Sequence, residues 1–152
     1  MPSFGVLIPS FIVGNMKRSI SERVVEFADC DSAGIVFYPN FYVWFDRGTE
    51  RLFSAQGLTY ESMREVHGVV GLPLLESSAK YRRPCRLGAG VRMESWVEVW
   101  HDKVFVVKHE VFCEGVLAVE GQETRAWAML TSASPPTMRA TVIPEPVRRL
   151  FD

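Results

Sequence analysis

Two carboxylates and a small, flexible turn lie directly before a helical segment of this chain. Asp29 and Asp31 precede the Ser-Ala-Gly turn at 32–34, and an apolar run then leads to Pro39. Proline suits the first helical position because its missing N–H would have had no partner there. The free amides at a helix start carry the positive end of the helix dipole, so they stabilise negative charge. An acid beside such amides is half of an acyl-transfer site.

The elements that must position these groups begin with a long helix. One face of 41–55 carries apolar residues and a glycine at helical spacing: Phe41, Trp44, Phe45, Gly48, Leu52 and Ala55. A glycine costs a helix about 1 kcal/mol relative to alanine. Its place on the apolar face therefore predicts that the helix backbone approaches a sheet closely at Gly48. A short second helix is predicted over 59–66, capped by Thr59.

The rest of the chain alternates apolar and polar residues as strands do. Strands are predicted over 19–28, 72–83, 91–100, 104–113 and 116–131, the last with a bulge at Gly121. The tail after residue 131 contains four prolines, which predict irregular structure with one final turn. One long helix followed by four successive strands predicts an α+β fold, an antiparallel sheet wrapped on a helix.

Composition restricts the class of protein. The 152 residues fit one domain, with 47% hydrophobic and 23% charged residues. A net charge of −1 argues against a nucleic-acid partner, which would normally require a basic chain. Cys30, Cys85 and Cys113 are odd in number and widely spaced, which disfavours a disulfide framework and predicts a cytoplasmic protein.

Residues 1–15 are apolar, but Gly5, Pro9 and Gly14 interrupt them and no basic residue precedes them. This pattern fits neither a membrane span of roughly 20 residues nor a signal peptide, so we expect no membrane partner. Met16 is followed by Lys17 and Arg18, as in a more usual protein start. We therefore expect 1–15 to be an upstream extension and 16–152 to be the single domain.

The segment 31–41, with Trp44 and Asp46 beyond it, resembles the signature of the 4-hydroxybenzoyl-CoA thioesterase family, and the likeness runs from about 19 to 131. The resemblance implies a hotdog fold and an acyl-CoA substrate, with no cofactor beyond the coenzyme A of that substrate. In this family the sheets of two subunits usually join edge to edge and active sites lie between them. A homodimer or homotetramer is therefore implied.

The resemblance also assigns roles to particular residues. Asp31 corresponds to the acid that acts as nucleophile on the thioester carbonyl or as base for a water. The backbone N–H of Tyr38 polarises the thioester oxygen, and Gly34 supplies loop geometry that a side chain would obstruct. Asp46 falls where the family places an acid near the hydroxyl of an aromatic acyl group, with a solvated helix position as the alternative. Lys103 aligns with a basic cluster that contacts the nucleotide.

Other residues offer competing chemistry. Glu50 is a rival catalytic acid, because another hotdog lineage uses an acid on this helix, although its arginine neighbours favour an ion pair. Cys30 has no nearby base in the sequence and is best explained as a packed thiol. His101 and Asp102 replace arginines of the family's basic cluster, so arginines elsewhere are further candidates for nucleotide contacts: Arg82, Arg83 and Arg86. The three histidines show no metal spacing: His67, His101 and His109.

The sequence thus predicts an acyl-CoA thioesterase that hydrolyses an aromatic thioester, similar to 4-hydroxybenzoyl-CoA, to the free acid and coenzyme A. Two alternatives stay open. The first is a hotdog dehydratase or hydratase, which normally needs a histidine near the helix start, and 29–46 contains none. The second is a non-catalytic acyl-CoA-binding protein, against which the intact Asp31 argues.

Overall fold

The computed structural model of the protein describes residues 8–13 and 16–152. Its strands are β1 (Ile8–Val13), β2 (Met16–Val24), β3 (Val69–Gly71), β4 (Leu74–Tyr81), β5 (Gly90–Trp100), β6 (Val104–Cys113), β7 (Val116–Ala126), β8 (Ala128–Ala133) and β9 (Pro136–Ala140). Its helices are α1 (Pro39–Ser54), α2 (Tyr60–His67) and α3 (Glu145–Arg149). None of these helices is long and apolar enough to cross a bilayer.

A six-stranded antiparallel sheet carries the long helix on one face. The strand order is β1-β2-β5-β6-β7-β4, and α1 packs on β2, β5, β6 and β7. The strands β3, β8 and β9 form a smaller sheet. This arrangement confirms the predicted α+β architecture, with an antiparallel sheet wrapped on one long helix.

The helix α1 begins where the sequence predicts its start, with Pro39 in the first turn. Its apolar face fills two separate clusters of the core. The first half, including Phe41 and Phe45, packs on the early part of β5 and the late part of β6. The second half, including Leu52 and Phe53, packs on the opposite end of the same strands. The helix therefore runs along the sheet from one end to the other.

Two glycines allow α1 to approach the sheet. A Cβ added to Gly48 would lie 2.6 Å from Ser95 Oγ, so the predicted close approach is confirmed. A Cβ added to Gly121 would lie 2.4 Å from the Phe45 ring. The prediction of a bulge at Gly121 was wrong, because Gly121 pairs in register with His109. The glycine instead leaves room for the ring of the helix.

The last third of the chain differs from its predicted structure. The single strand expected over 116–131 is two strands, β7 and β8, which belong to different sheets. The tail is not mainly irregular, since β9 pairs with β8 and α3 follows it. A register shift between Val97 and Val99 reverses the alternation at the end of β5. Trp100 consequently packs against the core cluster while Val99 is exposed.

Most of the predicted extension 1–15 lies outside the described residues. The backbone of 8–13 forms β1, which pairs antiparallel with β2 and so extends the main sheet by one strand. That the native chain starts at Met16 stays a prediction.

Candidate active site

Asp31 opens a tight turn at one end of the main sheet. Its carbonyl accepts from the Gly34 amide at 3.0 Å, and its own amide donates to the carbonyl of Ile35 at 3.0 Å. One side-chain oxygen, Oδ1, accepts from the Ala33 amide at 2.8 Å. The second oxygen has no hydrogen bond within the described part of the chain, and Asp31 is exposed. Its carboxylate is therefore fixed by one bond and open on the other side.

Asp29 braces this turn against the helix start. Its carbonyl accepts from the Phe37 amide and from Asn40 Nδ2, both at 2.8 Å. Its side chain accepts from the Glu26 amide at 2.8 Å. These bonds give Asp29 a structural role in the loop. Because Asn40 belongs to the first turn of α1, its bond to Asp29 connects the loop directly to the helix start.

Tyr38 is the residue that precedes α1. It has helical backbone angles, φ −55° and ψ −33°. Its amide donates to no acceptor in the part of the chain that the structure describes, as expected for the first amides of a helix. The residue as a whole is 59% exposed. An open backbone donor thus stands at the positive end of the helix dipole, on the same loop as Asp31.

Gly34 adopts a backbone conformation that favours glycine, while its role in the loop of the site stays a prediction. Its φ is +72°, a conformation that L side chains rarely adopt, and an added Cβ would meet nothing within 4 Å of this chain. A side chain would therefore not be obstructed, but the backbone angle would be strained. The carbonyl of Gly34 accepts from the Leu87 amide at 3.0 Å.

Cys30, beside Asp31, is a packed thiol as predicted. It is half-buried against the apolar cluster that contains Phe41. Desolvation, together with the carboxylates of Asp29 and Asp31, raises the pKa of the Cys30 thiol. A raised pKa keeps the thiol protonated at neutral pH, which disfavours a nucleophilic role.

Asp46 lies in the second turn of α1 and forms an ion pair. Its Oδ1 accepts from Arg125 Nη2 at 2.7 Å, while its side chain is 64% exposed. The other oxygen has no hydrogen bond among residues 16–152. The position is thus neither a free solvated face nor a buried group, because one oxygen is anchored and one is open.

A buried polar network lies beneath the middle of α1, and sequence reasoning missed it. Glu123 Oε2 accepts from Thr49 Oγ1 at 2.5 Å and from His109 Nε2 at 3.2 Å. Arg125 Nε donates to the same oxygen at 3.1 Å, and Arg125 Nη2 donates to Glu123 Oε1 at 2.7 Å. His109 Nδ1 lies 2.7 Å from Ser95 Oγ. All five residues are buried.

The protonation states in this network follow from its contacts. Burial would raise the pKa of Glu123, but hydrogen bonds from His109 and Arg125 outweigh burial and lower this pKa to about 2. Burial lowers the pKa of His109, so its ring is neutral. The neutral ring donates Nε2–H to Glu123 and accepts the Ser95 hydroxyl at Nδ1. The network is therefore fully paired and packed under the helix, which leaves it no access to a substrate.

The sequence did carry a signal for this network. The predicted strands place Ser95, His109, Glu123 and Arg125 at inward positions among apolar neighbours. A polar residue on the inner face of a strand needs a buried partner. The partners come from three strands and a helix, so only the strand register brings them together.

The remaining predicted residues lie elsewhere. Glu50 is exposed and accepts from Ser54 Oγ at 2.7 Å, so the arginine ion pair expected for it was wrong. Lys103 is exposed in the connection between β5 and β6. The C-terminal segment contacts this connection, because the Ile143 amide donates to the Asp102 carbonyl at 2.9 Å. Arg82 pairs with Glu120.

Lys103 and Asp31 stand at opposite ends of the main sheet. The Asp31 turn contacts Leu87, just before β5 begins at Gly90, whereas Lys103 follows the end of β5 at Trp100. Ten steps of about 3.3 Å make this strand roughly 33 Å long. A single chain therefore brings together Asp31, Gly34 and Tyr38, but not Lys103.

Comparisons with known proteins identify the family of this chain. Residues 25–151 match the model of the thioesterase-like superfamily. The 4-hydroxybenzoyl-CoA thioesterase of Pseudomonas sp. (strain CBS-3) is 34% identical over 98 residues, covering 63% of this chain and 70% of that protein. The 1,4-dihydroxy-2-naphthoyl-CoA hydrolase of Prochlorococcus marinus (strain MIT 9303) is 31% identical over 102 residues, covering 63% and 68%.

A solved structure gives the same fold. A mutant 4-hydroxybenzoyl CoA thioesterase, in complex with 4-hydroxybenzoyl CoA, superposes with a TM-score of 0.81 at 27% identity. The match covers 89% of this chain and 99% of that chain. The hotdog fold and the resemblance to the 4-hydroxybenzoyl-CoA thioesterase family are therefore confirmed. The chain belongs to the thioesterase-like superfamily, and it is a thioester hydrolase of the acyl-CoA thioesterase family.

Proposed function

We propose that this enzyme hydrolyses a ring-hydroxylated aromatic acyl-CoA, such as 4-hydroxybenzoyl-CoA, to the free acid and coenzyme A. The observation that carries the proposal is that one loop presents two reactive groups. These are the exposed Asp31 carboxylate, with one oxygen unpaired among the described residues, and the Tyr38 backbone amide, which has no acceptor there. The 4-hydroxybenzoyl and dihydroxynaphthoyl groups named for the two similar proteins both carry a phenolic hydroxyl. Asp46 offers an acceptor for such a hydroxyl.

The proposed reaction adds water across the acyl–sulfur bond. Asp31 attacks the carbonyl carbon itself or removes a proton from the attacking water, and both routes require its ionised form. The carbonyl oxygen gains negative charge as the carbon–oxygen bond forms, and the Tyr38 N–H stabilises that charge. The carbon–sulfur bond then breaks, and the leaving thiolate of coenzyme A takes up a proton. On the route of direct attack, water then hydrolyses the mixed anhydride between the acyl group and Asp31, which releases the acid and restores the carboxylate.

We further propose that two copies of the chain complete the site. The edge strand β4 pairs only with β7 within the described residues, and its Leu74, Leu75 and Tyr81 are exposed. Antiparallel pairing of two β4 strands would reverse the second sheet relative to the first. The Lys103 end of one chain would then lie beside the Asp31 end of the other. Lys103 would contact the nucleotide phosphates from that side.

A dehydratase function finds less support. The described histidine closest in the fold to α1 is His109, and its two ring nitrogens are occupied by Ser95 and Glu123. It lies beneath the helix middle, not at the helix start. No histidine base is thus offered at the Asp31 loop. A cytoplasmic location is also part of the proposal, on the strength of three free thiols: Cys30, Cys85 and Cys113.

The test is release of free thiol from a panel of acyl-CoAs. The panel contains 4-hydroxybenzoyl, benzoyl, 1,4-dihydroxy-2-naphthoyl and acetyl thioesters, with Asp31→Asn as the control for contaminating hydrolases. We expect the hydroxylated aromatic thioesters to give the highest kcat/KM. Thiol release that is equal for acetyl-CoA would refute the aromatic substrate class. No thiol release from any member, or water addition to an enoyl-CoA, would refute the hydrolase proposal.

A further inference from the structure

We infer that Arg125 is a positioning residue for acyl-group selection: it holds Asp46 with one carboxylate oxygen anchored and the other free to accept the substrate hydroxyl. The inference builds on the proposed function and adds a residue that the motif around Asp31 does not contain. It concerns which acyl group is preferred and not how the thioester bond is broken.

Arg125 has the contacts of a rigid support. Its side chain is only 6% exposed. Its Nε and Nη2 form a two-point contact with the carboxylate of Glu123, at 3.1 and 2.7 Å, and Nη1 donates to the Leu72 carbonyl at 2.9 Å. A guanidinium is planar, so these contacts fix its orientation. Nη2 also donates to Asp46 Oδ1, 2.7 Å away.

Asp46, unlike the buried Arg125, is an exposed side chain with few contacts. Its side chain is 64% exposed, and its single hydrogen bond among residues 16–152 is the one from Arg125. An exposed carboxylate on a helix would otherwise sample several rotamers. The contact with Arg125 selects the rotamer and leaves Oδ2 unoccupied. A ligand hydroxyl that meets a fixed acceptor does not have to order the side chain first, which favours binding.

Charge explains why Asp46 remains a strong acceptor. The Glu123 carboxylate already neutralises Arg125, and hydrogen bonds keep the pKa of Glu123 at about 2 despite burial. Arg125, Glu123 and Asp46 together therefore carry one net negative charge at neutral pH, and Asp46 is the exposed member. A site that offers a dedicated acceptor to a hydroxyl discriminates against an analogue that lacks the hydroxyl.

The location of Asp46 fits this role. Arg125 pairs in register with Leu74 of the edge strand β4, so Asp46 lies on the side of α1 that faces this edge. Burial first, and the Asp46 charge second, raise the pKa of Tyr60 on α2. Asp46 therefore lies towards the edge at which a second copy is proposed to complete the site.

The experiment measures the preference ratio, kcat/KM for 4-hydroxybenzoyl-CoA divided by kcat/KM for benzoyl-CoA. It compares the wild type with Asp46→Asn, Arg125→Lys and the double variant. We expect about a tenfold loss of preference in Asp46→Asn and at least about a threefold loss in Arg125→Lys. The double variant should match Asp46→Asn, because Arg125 acts through Asp46. Arg149→Lys, on the surface of α3, should retain the wild-type ratio.

Losses that multiply in the double variant, or an unchanged ratio in Arg125→Lys, would overturn the inference. A wild type that hydrolyses both substrates equally would overturn it too, while leaving thioester hydrolysis standing. A wild type that hydrolyses neither would instead refute the proposed function and the inference with it.

A second measurement leaves Arg125 intact, in case its replacement prevents folding. The slow variant Asp31→Asn would be loaded with each of the two thioesters, and the NMR signal of Arg125 Nε–H recorded. We expect this signal to differ between the hydroxylated and unhydroxylated ligands. Identical signals in the two complexes would overturn the inference.

Discussion

At the scale of single residues, the Asp31 carboxylate is held in place by one oxygen and leaves the other free to react. One oxygen is held by the Ala33 amide, which fixes the carboxylate in the turn, and the other is unpaired within the described residues. Replacement by asparagine retains an oxygen for the Ala33 amide and removes the charge. The variant Asp31→Asn therefore tests the chemistry of the group without removing the turn that carries it.

We predict that Asp31→Asn lowers kcat at least about 100-fold, because loss of a general base alone typically costs 10²–10⁴-fold. Binding of coenzyme A should change little, since the nucleotide end lies away from the carbonyl. Thiol release under saturating substrate measures the first effect, and calorimetric titration with coenzyme A measures the second.

Glu50→Gln is the matched control, because Glu50, on α1, is the other exposed acid that the sequence suggested. It should retain activity within about threefold of the wild type. If the Asp31→Asn variant kept near-normal turnover and the Glu50→Gln variant were inactive, the catalytic role would belong to Glu50.

The residues of the site differ in how well the sequence predicts them. Asp31, Gly34 and Tyr38 could be found because their chemistry lies within a short contiguous segment. Arg125 could not, because its contact with Asp46 spans 79 positions. Only the register of β7, set by its pairing with β6 and β4, turns Arg125 towards the helix.

At the scale of elements, the packing of α1 on the sheet depends on two glycines as well as on apolar side chains. Gly48 and Gly121 lie at the interface of the helix and the sheet, where an added Cβ would meet Ser95 and Phe45. The periodicity predicted α1 to within a turn at each end, because one apolar face determines where a helix packs. It could not predict the split of 116–131, because the change of sheet at Trp127 depends on β3 and β9.

We predict that Gly48→Ala lowers the free energy of unfolding by about 1–3 kcal/mol, the usual cost of overpacking a core. The gain in helix propensity, about 1 kcal/mol, opposes this loss but does not remove the close contacts with Ser95 and Met93. Urea titration followed by circular dichroism measures the change.

Gly71→Ala is the control for this prediction, because an added Cβ at Gly71 would meet nothing within 4 Å. Its free energy of unfolding should stay within about 0.5 kcal/mol of the wild type. A Gly48→Ala protein as stable as the wild type would show that the helix shifts away from the sheet at no cost.

At the scale of the whole molecule, the buried network couples stability to pH. Glu123 has a folded pKa of about 2, held below its usual value by hydrogen bonds that outweigh burial. Burial lowers the pKa of His109 as well. In both cases the unfolded chain binds the proton more readily. Both contributions to stability are therefore present at neutral pH and are lost as the pH falls.

We predict that the free energy of unfolding begins to decline below about pH 6.5, where an exposed histidine titrates, and declines more steeply below about pH 4.5. Each excess proton bound by the unfolded chain contributes a slope of about 1.4 kcal/mol per pH unit. Urea titrations between pH 7 and pH 3 measure the profile.

Glu123→Gln should show a flatter decline below about pH 4.5 than the wild type. Glu120→Gln, at the surface of the same strand, should show the wild-type profile. A Glu123→Gln profile as steep as that of the wild type would assign the acid sensitivity to other carboxylates.

The separation of Asp31 and Lys103 predicts complementation between chains. In a mixed dimer of Asp31→Asn and Lys103→Ala chains, a shared site places both changes in one site and leaves the other site intact. We expect about half of the wild-type activity from this dimer at low substrate concentration, well above either parent dimer. Co-purification through two different tags isolates the mixed dimer for the thiol assay.

The reciprocal dimer pairs a wild-type chain with a chain that carries both changes. A shared site then leaves no intact site, so this dimer should be less active than the first. The reverse order of activities would place Asp31 and Lys103 in the site of one and the same chain.

The spacing of Tyr38 and Asp46 along α1 fixes a distance within the proposed site. Tyr38 and Asp46 are eight positions apart, about 12 Å along a helix, and the Asp46–Arg125 ion pair connects the far end of this segment to β7. On the proposed function, this spacing on α1 sets how far the Asp46 carboxylate lies from the thioester oxygen. Asp46→Glu lengthens the acceptor side chain by about 1.5 Å. It should therefore move the preference between 4-hydroxybenzoyl-CoA, whose hydroxyl is para to the carbonyl, and 1,4-dihydroxy-2-naphthoyl-CoA, whose hydroxyls are ortho and meta. An unmoved preference would show that the enzyme does not select acyl groups by the position of the hydroxyl.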